Sequence, residues 1–149
     1  MSTARQNAIA SFCKLRRLQE AMENGYVVCI SCGKVIPWNE ADGGHYISRQ
    51  IRALETEPNN VWPQCKHCNQ MLYGNEEAYR VGLVKRIGES EVRRLELIAD
   101  ASRGSQDAYL KLSMQDRVKV SMKKFRNDYI EDKRAFDKES RELRRRIAS

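Results

Sequence analysis

Apolar residues recur at helical spacing near the start of the chain and predict a helix over residues 3–23. The apolar stripe of this helix consists of Ala8, Phe12, Leu15, Leu18 and Met22. Asn24-Gly25 supplies the stop signal. Cys13 lies near the stripe, and we interpret it as a small buried apolar side chain.

From Tyr26 the helical period is lost, and the middle of the chain predicts short extended pieces joined by turns. The first piece turns at Gly33, where a positive φ would direct backbone amides toward the cysteines beside it. Residues 42–44, Asp-Gly-Gly, predict a turn, and residues 45–48 predict a short strand. A second extended piece follows at residues 61–62.

From Cys65 onward the sequence again predicts helices. The first opens at Cys65 and runs to about Leu72, and Gly74-Asn75 ends it. Two more are predicted over residues 76–87 and 89–99, where apolar side chains again follow the helical period.

A long helix is predicted from Ser113, which with Asp116 resembles a capping box. Its apolar positions alternate by four and three residues, and Asp132 and Glu139 interrupt the series. These positions are Val118, Met122, Phe125, Tyr129, Phe136 and Leu143.

The pattern divides the 149 residues into four parts: an N-terminal helix over 1–24, a core over 25–99, a linker over 100–112 and a basic helical arm over 113–149. No run of 18 apolar residues is present, which excludes a transmembrane helix and predicts no membrane partner. The N-terminus lacks the apolar stretch of a secretory signal, so we expect a reducing compartment.

Four of the five cysteines form two pairs, Cys29-x-x-Cys32 and Cys65-x-x-Cys68. Paired CxxC units in a reducing compartment are typical of a tetrahedral zinc site, so we expect one structural zinc ion per chain. The 32 residues between the pairs exceed the spacer of a simple zinc ribbon. The inserted segment is therefore expected to have a function of its own.

The insert and its flank contain His45, then Asn60, then Asn69 directly after the last cysteine. This order is similar to the ββα-metal or HNH nucleases, with Asn69 in the place of the final histidine. Phosphodiester hydrolysis needs a base to activate water and a divalent cation to stabilise the transition state. The resemblance implies that His45 is the base and that Asn60 fixes its orientation by bonding loop backbone.

Three segments, DGGHYISRQ, NVWPQCKHCN and NEEAYRVGLVKRIGESEVRRLE, resemble the NinG family of lambdoid phages, also called Rap. The resemblance covers roughly residues 25–98. It implies a mostly helical α+β fold: a small zinc-stapled HNH-like core with an N-terminal helix and a long C-terminal helical arm. It also implies a phage-encoded endonuclease of the host cytoplasm that cleaves branched DNA, including Holliday junctions and D-loops, during recombination.

The CxxC…CxxCN arrangement is also similar to phage endonuclease VII, in which a metal-binding aspartate directly precedes the base histidine. Here Gly44 stands in that place. Asp42 lies two positions earlier, on the same strand face, and a glycine at position 44 would leave room for it. We therefore expect Asp42 and Asn69 to bind a catalytic Mg²⁺ or Mn²⁺ ion, with Glu40 as the reserve ligand.

The net charge of +7 favours a polyanionic partner, DNA first. Residues 112–149 carry 12 basic and 7 acidic side chains and hold most of the surplus. Arg49 and Arg52 follow the base histidine and are predicted to contact phosphates. Four arginines crowd the end of the arm and are predicted to bind the DNA backbone: Arg141, Arg144, Arg145 and Arg146.

The arm raises two alternatives. Its apolar stripe can pair with a second copy, because a four-way junction offers two symmetric strands to a homodimer. The stripe can instead fold back on the chain's own core.

Two other functions also stay open. One is a zinc-stapled DNA-binding recombination mediator with a degenerate nuclease site. The other is a restriction-type HNH endonuclease that cuts duplex DNA.

Overall fold

The computed structural model describes residues 1–147, so the last two residues of the predicted arm, 148 and 149, lie outside the described residues. The helices are α1 (Ala4–Gln19), α2 (Glu76–Ile87), α3 (Glu89–Ser102), α4 (Gln106–Lys111), α5 (Met114–Ser121) and α6 (Arg126–Ile147). The strands are β1 (Tyr26–Val28), β2 (Val35–Pro37), β3 (Asp42–His45) and β4 (Val61–Gln64). The fold is thus a mostly helical α+β fold, as predicted.

Helix α1 confirms the N-terminal prediction over most of its length. Thr3 caps it in a reciprocal capping box with Gln6, and Gln19 is its last residue. The predicted stripe is buried except for Met22, which lies beyond the end of the helix and is exposed.

Two antiparallel hairpins follow α1, and the second differs from the sequence prediction. β3 pairs with β4, with Asp42 opposite Gln64 and His45 opposite Val61. The predicted turn at residues 42–44 is therefore wrong, because these residues form the strand itself. A Cβ at Gly43 would lie 2.6 Å from Cβ of Cys13 and 2.9 Å from its carbonyl oxygen, so the glycine lets β3 approach α1.

The predicted helix from Cys65 to Leu72 is shorter and wider than expected. It is a single π-helical turn over His67–Met71. Tyr73, Gly74 and Asn75 then all adopt positive φ angles of 52°, 92° and 46°, which ends the turn before α2 begins.

Residues 100–112, predicted as a linker, are mostly helical. α3 continues to Ser102, and α4 occupies residues 106–111. Ala108 and Leu112 are buried in the same core as α2 and α3, which explains why this segment is ordered. The short polar run Ser-Arg-Gly-Ser only separates two packed helices.

The single long helix predicted from Ser113 is also wrong. Ser113 caps α5 as expected, by accepting a hydrogen bond from the backbone of Asp116 at 3.1 Å. However, α5 ends at Ser121, and the Asp128 carboxylate accepts from the backbone N–H of Phe125 at 2.7 Å, which starts a new helix. Two helices therefore replace the continuous arm.

Helix α6 packs on α1 of the same chain. The rings of Phe136 and Phe12 are 5.0 Å apart, and Gln19 donates to Glu139 further along both helices, so the two run in the same direction. This is the folded-back alternative for the arm. Because α1 covers this apolar face, the homodimer stays a prediction that needs another surface. No described helix is long and apolar enough to cross a bilayer.

Candidate functional site

The four paired cysteines meet in one cluster, and their sulfur atoms all lie within 4.8 Å of one another. The Sγ atoms of Cys32 and Cys65 are 3.7 Å apart. A tetrahedral zinc ion with bonds of about 2.3 Å places its sulfur ligands about 3.8 Å from each other. The four cysteines are free of disulfides, so this cluster could hold one zinc ion.

A tight turn at Gly33 shapes the first cysteine pair, and two N–H groups point at sulfur atoms of the second pair. Gly33 has a φ of 78°, as predicted, and its N–H donates to the carbonyl oxygen of Cys29 at 2.9 Å. The Cys68 N–H points to Sγ of Cys65 at 3.4 Å, and Asn75 Nδ2 points to Sγ of Cys68 at 3.5 Å. These donors would stabilise negatively charged sulfur ligands.

Asp42 and Asn69, the two residues predicted to bind the catalytic cation, are in direct contact. Asn69 Nδ2 donates to Asp42 Oδ2 at 2.9 Å. Lys66 Nζ lies 2.8 Å from Asp42 Oδ1. Gln70 Nε2 donates to Asp42 Oδ2 at 3.0 Å. Burial raises the pKa of Asp42, but these donors outweigh burial and hold the pKa below its usual value.

These contacts have two consequences for the sequence prediction. Lys66 and Gln70 were missed, although Lys66 stands three residues before Asn69 and four before Gln70, the spacings at which side chains meet on a helical turn. Glu40 lies exposed on the turn before β3 and is not among the described partners of the Asp42 carboxylate.

Gly44 does not leave the open space that was expected for Asp42. The side chain of Gln64 fills it, with Oε1 in contact with the position that a Cβ at Gly44 would take. Gln64 is fully buried, and its Nε2 donates to Ser31 Oγ at 2.9 Å and to the Gly74 carbonyl at 2.6 Å. Gln64 therefore ties the first cysteine hairpin and the turn before α2 to this strand pair.

His45 ends β3 and is held by one ring nitrogen. Its Nε2 lies 2.9 Å from the main-chain carbonyl oxygen of Glu55. A carbonyl only accepts, so Nε2 carries the proton, and the lone pair of Nδ1 is left available. Burial, assisted by the charge of Arg49, lowers the pKa of His45, so the ring is neutral at pH 7.

Asn60 is fully buried and bonds the loop around His45. Its Nδ2 donates to the carbonyls of Ile47 and Leu54 at 3.0 Å each, and its Oδ1 accepts from the Ile47 N–H at 2.8 Å. These bonds are to loop backbone, which is the arrangement the resemblance implied for this asparagine.

The predicted DNA contacts fall into two separate groups. Arg49 and Arg52 are exposed on the loop after β3. The other four are exposed on the last two turns of α6: Arg141, Arg144, Arg145 and Arg146. Ile147 packs against Gly25, so this end of α6 lies beside the start of β1.

The family profile described as Bacteriophage Lambda NinG protein matches residues 2–139, nearly the whole chain. The chain belongs to the NinG family. Proteins named Protein ninG from Escherichia phage 933W, Escherichia phage lambda and Salmonella phage P22 are each 39% identical to it over 69 residues. Those residues are 46% of this chain.

The matched part of these NinG relatives is 33–34% of their length, so the chain aligns with about a third of each. No solved structure matches the chain. The family assignment therefore rests on the sequence.

Proposed function

We propose that this NinG protein is a metal-dependent endonuclease that cleaves branched DNA during phage recombination. The observation that carries the proposal is the contact between Asp42 and Asn69. These side chains come from β3 and from the turn that carries Cys68, and Asp42 stands on the same strand as His45, three residues before it. His45 is neutral and is oriented by its bond to the Glu55 carbonyl. A carboxylate oxygen and an amide oxygen are suitable ligands for Mg²⁺ or Mn²⁺.

Asn69 would need only to rotate its amide to present oxygen instead of nitrogen, and Lys66 would have to release Asp42 Oδ1. A divalent cation held there supplies charge stabilisation for the pentavalent phosphorus and the leaving oxygen. Nδ1 of His45 accepts a proton from the attacking water, whose oxygen forms the new P–O bond as the P–O3′ bond breaks. The structural zinc keeps Asn69 in place, because Cys68 directly precedes it.

The second candidate is a zinc-stapled DNA-binding recombination mediator with an inactive site. The specific observation in its favour is that Lys66 already occupies the Asp42 carboxylate, at 2.8 Å, and that Gln64 fills the space beside Gly44. A site that never binds a cation would have the same contacts.

A cleavage assay separates these functions. A labelled four-way junction and the matching linear duplex are incubated with the protein in Mg²⁺, in Mn²⁺ and in EDTA. We expect metal-dependent cuts in the junction only. His45→Ala should lower the rate by about 10²–10⁴, the usual effect of losing positioned proton transfer, while junction binding is kept.

His67→Ala is the matched control, since the His67 side chain is exposed and outside the cysteine cluster, and its rate should stay within about threefold of wild type. Cuts at discrete sites in the linear duplex would instead identify a restriction-type enzyme. Junction binding without cleavage in either metal would support the mediator. A loss of binding in step with cleavage would assign His45 a structural role.

A further inference from the structure

Glu55 is a buried carboxylate held by both ends of the chain. It is 1% exposed and lies on the loop between β3 and β4. Arg5 of α1 donates through Nε to Oε2 at 2.7 Å. The hydroxyl of Tyr129 on α6 donates to Oε1 at 2.8 Å. A buried charge is costly unless it is paired, so these two donors fix where the Glu55 side chain lies.

The same residue also holds His45. The main-chain carbonyl oxygen of Glu55 accepts the hydrogen bond from Nε2 of the histidine at 2.9 Å. Burial raises the pKa of Tyr129, so its hydroxyl stays a donor. The side chain and the carbonyl share the Cα of Glu55, so anchoring the carboxylate restricts the backbone torsions that orient the carbonyl.

The rest of this loop has a second clamp that does not touch His45. Lys119 of α5 lies 3.0 Å from Oε2 of Glu57, and Arg94 of α3 lies 3.9 Å from the same oxygen. Glu57 is two residues beyond Glu55. Of these two glutamates, Glu55 is the one whose main chain is bonded to the imidazole ring.

We propose that Arg5 and Tyr129 are positioning residues for His45 and that they act through Glu55. Neither residue is bonded to Asp42 or Asn69, and Arg5 also donates through Nη2 to the main-chain carbonyl of Arg49 at 2.6 Å. What they fix is the carbonyl that selects the Nε2-protonated form of the ring and aims Nδ1. The consequence for cleavage rests on the proposed function, whereas the effect on the ring itself does not.

The first readout is the imidazole of His45 in ¹⁵N-labelled protein, followed by long-range ¹H–¹⁵N NMR at one fixed pH. Wild type should show a ring protonated at Nε2, with slow exchange of that proton. Tyr129→Phe keeps the aromatic ring and removes only the donor to Glu55. We expect the ring proton to exchange at least about tenfold faster, or the two neutral forms of the ring to become mixed. Tyr109→Phe on α4 is the matched control and should leave the signal unchanged.

A second pair of variants tests the other donor and guards against misfolding. Arg5→Met removes the charge and the hydrogen bonds to Glu55 and to the Arg49 carbonyl, and Arg5→Lys keeps a cationic donor. Arg5→Met should change the His45 signal as Tyr129→Phe does, and Arg5→Lys should restore it at least in part. The melting curve of each variant must stay cooperative, which shows that the change is local.

The second readout is junction cleavage. Tyr129→Phe should lower the rate at saturating DNA by about tenfold with little change in the DNA concentration at half-maximal rate, because misalignment of a base affects the chemical step. If the Tyr129→Phe protein is active and keeps the wild-type His45 signal, the positioning role is wrong and the proposed function still stands. A protein that never cuts DNA, yet shows the expected NMR changes, would overturn the proposed function and leave the positioning role standing.

Discussion

Among the single residues of the site, Lys66 forms an ion pair with the Asp42 carboxylate, where the proposed cation would bind. Its side chain is 58% exposed and that of Asp42 is 20% exposed, so water screens the pair. Exposed pairs of this kind contribute about 0–1 kcal/mol to stability. A divalent cation offers the carboxylate twice the charge, so displacing Lys66 is a small obstacle to cation binding.

The direction of the His45 pKa shift predicts the pH dependence of cleavage. The base must be neutral, and burial lowers its pKa below the ordinary value of about 6.5. The rate should therefore be close to its plateau at pH 7 and should fall only as the pH drops through the lowered pKa. A rate profile between pH 5 and 8 at saturating cation measures this limb.

A junction-binding profile over the same pH range serves as the control, since binding should stay flat where the rate falls. An acid limb with its midpoint above pH 6.5 would contradict a desolvated base.

Among the elements, a zinc ion in the cysteine cluster would join the β1–β2 hairpin to the turn that carries Asn69. Cys65→Ser removes one ligand, and metal binding supplies folding free energy in small zinc domains. We expect this variant to lose its cooperative melting transition and its zinc. Elemental analysis and calorimetry on freshly purified protein measure both properties.

Cys13→Ala is the matched control for the zinc experiment, because Cys13 is outside the cluster and packs in the α1 core. It should keep one zinc ion per chain and a cooperative transition. Wild-type protein with far less than one zinc per chain would contradict the assignment.

The sequence predicted the elements that are fixed by contacts between residues close together in the chain. It missed β3, which is fixed by a contact with a residue far away in the chain. α1 has its own stripe and cap, and the cysteine pairs have their own spacing. By contrast, a glycine is required at position 43 because Cys13, thirty residues earlier, packs against it. The sequence Asp-Gly-Gly by itself predicts only a turn. The break between α5 and α6 was missed for another reason: the Asp128 carboxylate bonds the nearby Phe125 N–H, but the apolar positions keep helical spacing across the break.

The candidate site divides in the same way. Asp42 and Asn69 could be predicted from the sequence, because Asp42 stands three residues before His45 and Asn69 directly follows Cys68. Glu55 could not, because its role comes from its main-chain carbonyl and from donors 50 and 74 residues away in the chain. Every residue has a main-chain carbonyl, so the residue type at position 55 does not indicate that this carbonyl accepts a hydrogen bond from His45.

At the scale of the whole molecule, the exposed arginines near the end of α6 are the predicted electrostatic contact with DNA. Arg141, Arg144 and Arg145 changed together to Gln remove three charges and leave the apolar face of α6 intact. We expect affinity for junction and duplex to fall equally. The slope of log K against log salt should become shallower by about 2–3, since each lost phosphate contact contributes about 0.9.

A variant with the same net charge controls for that loss. Lys85, Lys111 and Lys123 are exposed outside α6, and their joint replacement by Gln should leave the slope nearly unchanged. Equal effects of the two triple variants would mean that only net charge matters and that α6 has no special contact.

The clamp on Glu55 also has a consequence for how the protein is made. A ribosome delivers the two cysteine pairs, β3 and β4 before any of α6, at about 5–20 residues per second. For some seconds the nascent chain holds the proposed cation ligands and His45, but it lacks Tyr129 and so one of the two donors of Glu55. Alignment of the base therefore waits for the C-terminal helix, and a chain cut short before Tyr129 would be expected to reach DNA without an aligned histidine.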